Sequence, residues 1–292
     1  MSLHPGIGTL SIERLSSADL IEAFAFLDTD PVVNVYLLAV LMRDALTPTR
    51  DEFWAARRAG RMTALLMLGT GSGSVLPVGS DVAALERLSL QIQPQSGALP
   101  RRFQIIGARA ALAPFRERLA RQGLLPRLER DQVYMAVERG KLGAAAPLPD
   151  LRPAKPEDYD LVFETGARLR AEELAEDPRL VDPAAYARRV EEECRDGFTY
   201  VWREGAALRF RASLSARTAD AAQISGVYTP PEWRGRGYAT RGVAELCRRV
   251  FEQSRSACLF VNDFNRPALA VYRKLGFVPL AEWGSAFYDR GR

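Results

Sequence analysis

Ile224-Ser-Gly-Val-Tyr-Thr-Pro-Pro-Glu-Trp-Arg-Gly-Arg-Gly-Tyr-Ala-Thr-Arg241 contains a change of structural period. The run Ile224 to Tyr228 is apolar and β-prone, and it meets a double proline that neither a helix interior nor a central strand tolerates. Arg234-Gly-Arg-Gly-Tyr-Ala239 follows. Beyond it Val243, Leu246, Cys247, Val250 and Phe251 recur at helical spacing. The order is strand, glycine loop, helix. N–H groups at a helix start lack intrahelical acceptors and sit at the positive end of the dipole, and glycine lets an anion approach the backbone. The loop is a candidate pyrophosphate cradle; a tight turn with a solvated arginine is the plainer alternative.

Two phosphate signatures do not fit. No Lys-Ser/Thr closes a P-loop, and the dinucleotide fingerprint needs Gly or Ala where Thr240 stands. A second stretch lies further on: Leu259-Phe-Val-Asn-Asp-Phe-Asn-Arg-Pro-Ala-Leu-Ala-Val-Tyr-Arg-Lys-Leu-Gly-Phe277. It reads as a short buried strand, an Asn/Asp loop, and a helix with Pro267 in its first turn and Gly276 at its end. Arg234-x-x-Gly237-x-Ala239 resembles the acetyl-CoA signature of the GNAT superfamily of N-acetyltransferases. Asn265-x-x-Ala268-x-x-x-Tyr272-x-x-x-Gly276-Phe277 resembles that superfamily's other hallmark, and the two occur in its order. The resemblance covers roughly the second half of the chain.

Composition narrows the chemistry. The chain of 292 residues has a net charge of +4 and one histidine, His4. A histidine base, a Ser-His pair or a His-rich metal site is therefore not expected. Basic residues are interspersed with acidic ones, which argues against a nucleic-acid footprint. Cys194, Cys247 and Cys258 show no metal spacing and read as reduced thiols of a cytoplasmic protein. No apolar run reaches membrane-spanning length, and the N-terminus lacks a basic-then-apolar leader.

The length suits two domains of about 140 residues each. The first half reads as strand Thr9 to Glu13, helices Ser17 to Leu27 and Val32 to Ala45, and strands near Phe53 to Arg57, Met62 to Leu68 and Val75 to Val78. A helix from Asp81, strand Phe103 to Ile106, helix Ala108 to Arg121 and strand Gln132 to Val137 complete it. The second half repeats that order: strand Leu148 to Arg152, helices from Pro156 and Pro183, and strands Phe198 to Arg203, Ala207 to Ser215 and Ala222 to Tyr228. The glycine-loop helix, strand Leu259 to Val261, the second helix and a strand through Ala286 to Tyr288 follow. Asp30-Pro31 echoes Asp177-Pro178, and Gly123-Leu-Leu-Pro126 echoes Gly276-Phe-Val-Pro279, both at about 150 residues' spacing. The expected fold is α/β (α+β): tandem GNAT-like units, each a mixed, mostly antiparallel sheet flanked by helices. The expected boundaries are 1–140, a Gly/Ala/Pro-rich linker 141–150, and a catalytic domain 151–292.

Only the second copy keeps the motifs. At the spacing of the second echo, Asn265 falls on Leu112 and Tyr272 on Leu119. Gly79-Ser-Asp81 puts an acid where a diphosphate would sit, so the first half is expected to be degenerate. The pairing also resembles a bacterial two-domain acetyltransferase group with Glu-Glu-x-Gly upstream of the loop. Glu172-Glu173-Leu174-Ala175 departs from it at the glycine.

The resemblance implies acetyl-CoA as cofactor and direct transfer to an amine. It implies a fourth strand that splays from the fifth at a bulge, where Val227, Tyr228 and Thr229 would line the pantetheine arm and the N–H near Val227 would polarise the thioester. Arg234, Gly235, Arg236, Gly237, Tyr238, Ala239 and Thr240 would hold the diphosphate, with Asn265 and Ala268 as further contacts. Capping alone also explains Asn265. Tyr272 is the implied general acid, with a rim position on an apolar face as the alternative. Glu173 and Glu172 are candidate bases within the acidic cluster that ends at Glu176 and Asp177; a solvated helix end explains such a cluster equally well. Glu232 reads as a surface residue. The acceptor is a small-molecule or peptide amine, and its identity and the oligomeric state stay open. Mycothiol-synthase-like or aminoacyl-transferase-like tandem enzymes, and a non-catalytic CoA-responsive module, are the alternatives.

Overall fold

The computed structural model describes residues 9–47, 51–93 and 99–291; His4 lies outside them. The chain forms two compact units, 1–133 with 281–292, and 134–280.

The first unit begins with β1 (Leu10–Arg14), α1 (Leu20–Leu27) and α2 (Val35–Asp44). Then come β2 (Asp51–Arg58), β3 (Arg61–Gly69), β4 (Ser74–Gly79), α3 (Val82–Ser89), β5 (Arg102–Ala108) and α4 (Arg109–Arg121). Strands β1 to β4 pair antiparallel in sequence order, and β4 pairs parallel with β5. Alternation along β3 serves both faces of the sheet. Leu65 and Met67 join Leu37, Leu38 and Leu41 of α2, whereas Leu66 and Leu68 join Leu85 and Leu88 of α3 and Phe115 of α4. Strand β6 (Leu128–Glu138) has its first residues in the first unit and its last in the second.

The second unit repeats this order: β7 (Arg152–Pro153), α5 (Tyr159–Leu174), α6 (Pro178–Val181), α7 (Pro183–Asp196), β8 (Thr199–Glu204), β9 (Ala207–Arg217), β10 (Ala221–Tyr228), α8 (Tyr238–Val250), β11 (Ser256–Asn262) and α9 (Arg266–Lys274). Again β7 to β10 pair antiparallel and β10 pairs parallel with β11. The expected repeat is thus a repeat of topology. Helices α5 and α7 bury Val162, Ala167, Tyr186, Val190 and Cys194 against Val201 and Leu208. Helix α8 approaches β9 closely enough that a Cβ at Gly242 would lie 2.5 Å from the Phe210 ring.

Three boundaries differ from the sequence reading. The last strand, β12 (Val278–Asp289), pairs antiparallel with β5 from Trp283 opposite Ala108 to Asp289 opposite Arg102, so residues 281–292 complete the first unit. Tyr288 stacks on Phe103 there, with ring centroids 4.9 Å apart. The expected linker 141–150 is tied to the second unit. Arg248, Arg241 and Arg249 of α8 donate to the carbonyls of Ala145, Pro147 and Pro149, and the Leu148 N–H donates to Glu245. Those bonds take the backbone away from a sheet, so the strand expected over Leu148 to Arg152 shrinks to Arg152–Pro153. Among the described residues no helix is long and apolar enough to cross a membrane, no acid/His/Cys group could hold a metal, and all three cysteines are free and buried.

Candidate active site

The second unit's sheet opens in the middle. Pairing between β10 and β11 covers only Ala221–Ser256, Ala222–Ala257 and Gln223–Cys258, although β10 continues to Tyr228 and β11 to Asn262. On its other side β10 bulges: Ser225 faces Ser213 and Tyr228 faces Arg211, with one more residue on β10 than on β9. Gly226 supplies the left-handed turn this needs (φ 58°), and Leu169 of α5 lies against it. The splay and bulge fall where the resemblance places them. The Thr229 hydroxyl is buried and has no hydrogen-bond partner.

Helix α8 starts beside this opening with its N-terminus bare. Its N-cap is Gly237 at φ 78°, which offers no side-chain cap, and Gly235 holds φ 76°. A Cβ at either glycine would meet nothing within 4 Å, so what these positions require is the backbone turn. The leading amides of α8 therefore have no side-chain cap, an arrangement that can accept an anion. Helix α3 occupies the equivalent place in the first unit and is closed. The Asp81 carboxylate accepts from Ala84 N–H (3.1 Å) and is gripped by Arg58 (2.9 Å).

Around the glycine loop the side chains brace one another. Arg234 donates to the Thr229 carbonyl (3.0 Å) and to Glu172 (2.7 Å), so its guanidinium is engaged by the protein itself. Tyr228 Oη donates to Glu172 at 3.3 Å, and burial, then the Glu172 charge, raise the phenol's pKa. Trp233 carries Arg209 over its ring at 3.3 Å and Arg236 at 4.8 Å, while Tyr238 meets Trp202 edge-on at 4.9 Å. These contacts fix the loop's frame, and motif reading missed them because they join residues from β8, β9 and the loop.

Tyr272 is a buried residue of α9, 6% exposed, so the rim position considered from sequence does not hold. Burial first and the Glu173 charge second raise its pKa, keeping the phenol protonated at neutral pH. Asn265 caps α9 by accepting from Ala268 N–H at 3.2 Å, which commits that amide within the helix. Asp177 caps α6 and pairs with Arg179, so it is structural, and Glu232 is exposed. The described geometry brings Glu172, Tyr228 and Arg234 together, with Glu173 near Tyr272.

Residues 168–277 match the acetyltransferase (GNAT) family. That span contains the open sheet, the bare helix start and Tyr272. Over this part the chain is similar to GNAT acetyltransferase domains. Solved structures share its fold over nearly the whole chain. One is a GCN5-related N-acetyltransferase from Sphaerobacter thermophilus, 17% identical, covering 97% of this chain and 96% of that one with a TM-score of 0.59. Another is a tandem GNAT protein from the clavulanic acid biosynthesis pathway, 18% identical, with coverages of 97% and 99% and a TM-score of 0.54. A Drosophila melanogaster protein reaches a TM-score of 0.69 at 13% identity, with coverages of 96% and 99%. No curated protein matches the chain in sequence. The chain departs from the Glu-Glu-x-Gly pattern at Ala175, which stands at φ 51° as the C-cap of α5. Glycine is the residue that conformation favours.

Proposed function

We propose that the second unit is an acetyl-CoA-dependent N-acetyltransferase acting on a primary amine, and that the first is a copy that no longer binds the cofactor. The observation that carries this reading is the bare start of α8 beside the opening between β10 and β11. Bound acetyl-CoA supplies the activated acyl thioester. Amides from Gly235 to Thr240 would hold its diphosphate, with Arg236 near them, and the backbone of Val227 and Thr229 would pair with the pantetheine arm as an added strand does. The N–H near Val227 is the oxyanion donor of this scheme.

Tyr272 Oη would hold the proton for the departing thiol, since burial keeps the phenol protonated at neutral pH. Glu173, whose charge reaches Tyr272, would take the amine's proton. Glu172, engaged by Arg234 and Tyr228, positions the loop instead. In the first unit, Asp81 fills the helix start with negative charge, which supports loss of cofactor binding there. The direct test is thiol release from acetyl-CoA with a panel of primary amines. Amine-dependent release supports the enzyme. Binding of coenzyme A without turnover by any amine points to a CoA-responsive module, and no binding at all defeats the proposal.

A further inference from the structure

Arg170 lies on α5, one turn before Glu173, and is partly buried. Among the described residues no carboxylate or carbonyl accepts a hydrogen bond from its guanidinium. The other inward arginines of this unit are answered: Arg152 and Arg203 by Asp158, Arg209 by Glu204, and Arg211 by Glu193 and the Val162 carbonyl. At Gly166, one turn earlier, a Cβ would lie 2.6 Å from Tyr186 Oη and 2.8 Å from Arg211 Nη1, so α5 is pressed onto α7 below Arg170. The charged and titratable groups around Arg170 are Tyr186, Arg189 and Glu193 of α7 and Glu176 beyond the end of α5. Glu193 is already committed to Arg211, Arg189 and Thr199. Burial, and then Arg189, lower the guanidinium's pKa, as expected of a cation stripped of water without a full replacement. The adjacent Leu169 touches the bulge at Gly226, which places Arg170 on the helix that flanks the opening.

We propose that Arg170 is a carboxylate receptor, and that the acceptor is a small molecule carrying both an amine and a carboxylate. This rests on the acetyltransferase reading and narrows its substrate class. Arg170 takes the carboxylate with its paired N–H groups, while Glu173, the carboxylate not engaged by Arg234, would meet the ammonium. Two cations, Arg170 and Arg189, offset by Glu176 and Glu193, suit a monoanion better than a phosphate dianion.

The test uses the full-length protein and its Arg170→Gln and Arg170→Lys variants. Acetylation of α-, β- and γ-amino acids is compared with that of their primary amides, and coenzyme A binding is followed by calorimetry. Wild type is expected to prefer the acid, and Arg170→Gln to lose roughly ten- to hundredfold in kcat/KM for the acid through KM, with amide turnover and coenzyme A affinity unchanged. Arg170→Lys should restore part of the preference, and Arg170→Gln should melt no lower than wild type because no internal bond is lost. Equal use of acid and amide by wild type overturns the assignment, as does an Arg170→Gln defect that strikes both alike. Should coenzyme A fail to bind, the acetyltransferase reading falls; calorimetric binding of acid over amide, lost in Arg170→Gln, still decides the role of Arg170.

Discussion

Ala175 shows how one residue records a local cost. It holds φ 51° at the end of α5, a conformation that crowds its Cβ. Ala175→Gly should raise stability by about 1 kcal/mol, read as a shifted urea midpoint at unchanged slope. Tyr272 carries a different expectation. Tyr272→Phe keeps the ring packed beside Phe277, 5.7 Å between centroids, and removes only the hydroxyl. Turnover should fall roughly hundredfold or more while coenzyme A affinity stays within about twofold; an unaltered turnover would end its acid role. The departure at Ala175 was legible in the sequence, because a helix-ending glycine leaves a pattern. The isolation of Arg170 was not, since a missing partner becomes visible only when α7 is packed beside α5.

Among the elements, α3 and α8 make a matched pair with opposite ends: one is sealed by its own carboxylate and the other is bare. Asp81→Ala should destabilise the first unit by about 1 kcal/mol through the lost cap. Gly237→Ala should weaken coenzyme A uptake and cost about 1 kcal/mol, because its strain comes from the backbone turn. At the entry to α5, Asp158 is sealed between Arg152 and Arg203. Burial pushes its pKa up, but Arg152, the Lys155 N–H and Arg203 together pull it down to about 2. A folded pKa below the unfolded one adds stability above the unfolded value and loses it as pH falls. The window runs from about pH 4 to about pH 2 and spans roughly 2 kcal/mol. Urea titrations across that range should show this slope in wild type and lose it in Asp158→Asn, which should also be about 3 kcal/mol less stable at neutral pH. Period-two and helical spacing exposed most of these elements to the reader of the sequence. The strand expected over Leu148 to Arg152 failed because Arg241, Arg248 and Arg249 hold the preceding segment by its carbonyls, and such bonds leave no local pattern.

At the scale of the whole molecule, the repeat of topology was foreseeable from two short echoes, whereas the cut between units was not. Nothing in Val278–Asp289 itself says that its partner is β5. A fragment ending at residue 140 should therefore fail to give a cooperative unfolding transition, since it lacks Ala286 and Tyr288 from its core; a folded fragment 1–140 would show that β12 is dispensable. The C-terminal strand also has a consequence for biosynthesis. A ribosome releases N-terminal domains first as a rule, and they fold as they emerge. Here the piece that closes the N-terminal unit is translated after the whole of the second unit, so vectorial folding waits with one flank of β5 uncovered until residues 281–289 emerge. A chaperone that shields exposed strand edges, or a slow stretch of codons between the second unit and β12, would act on that waiting intermediate.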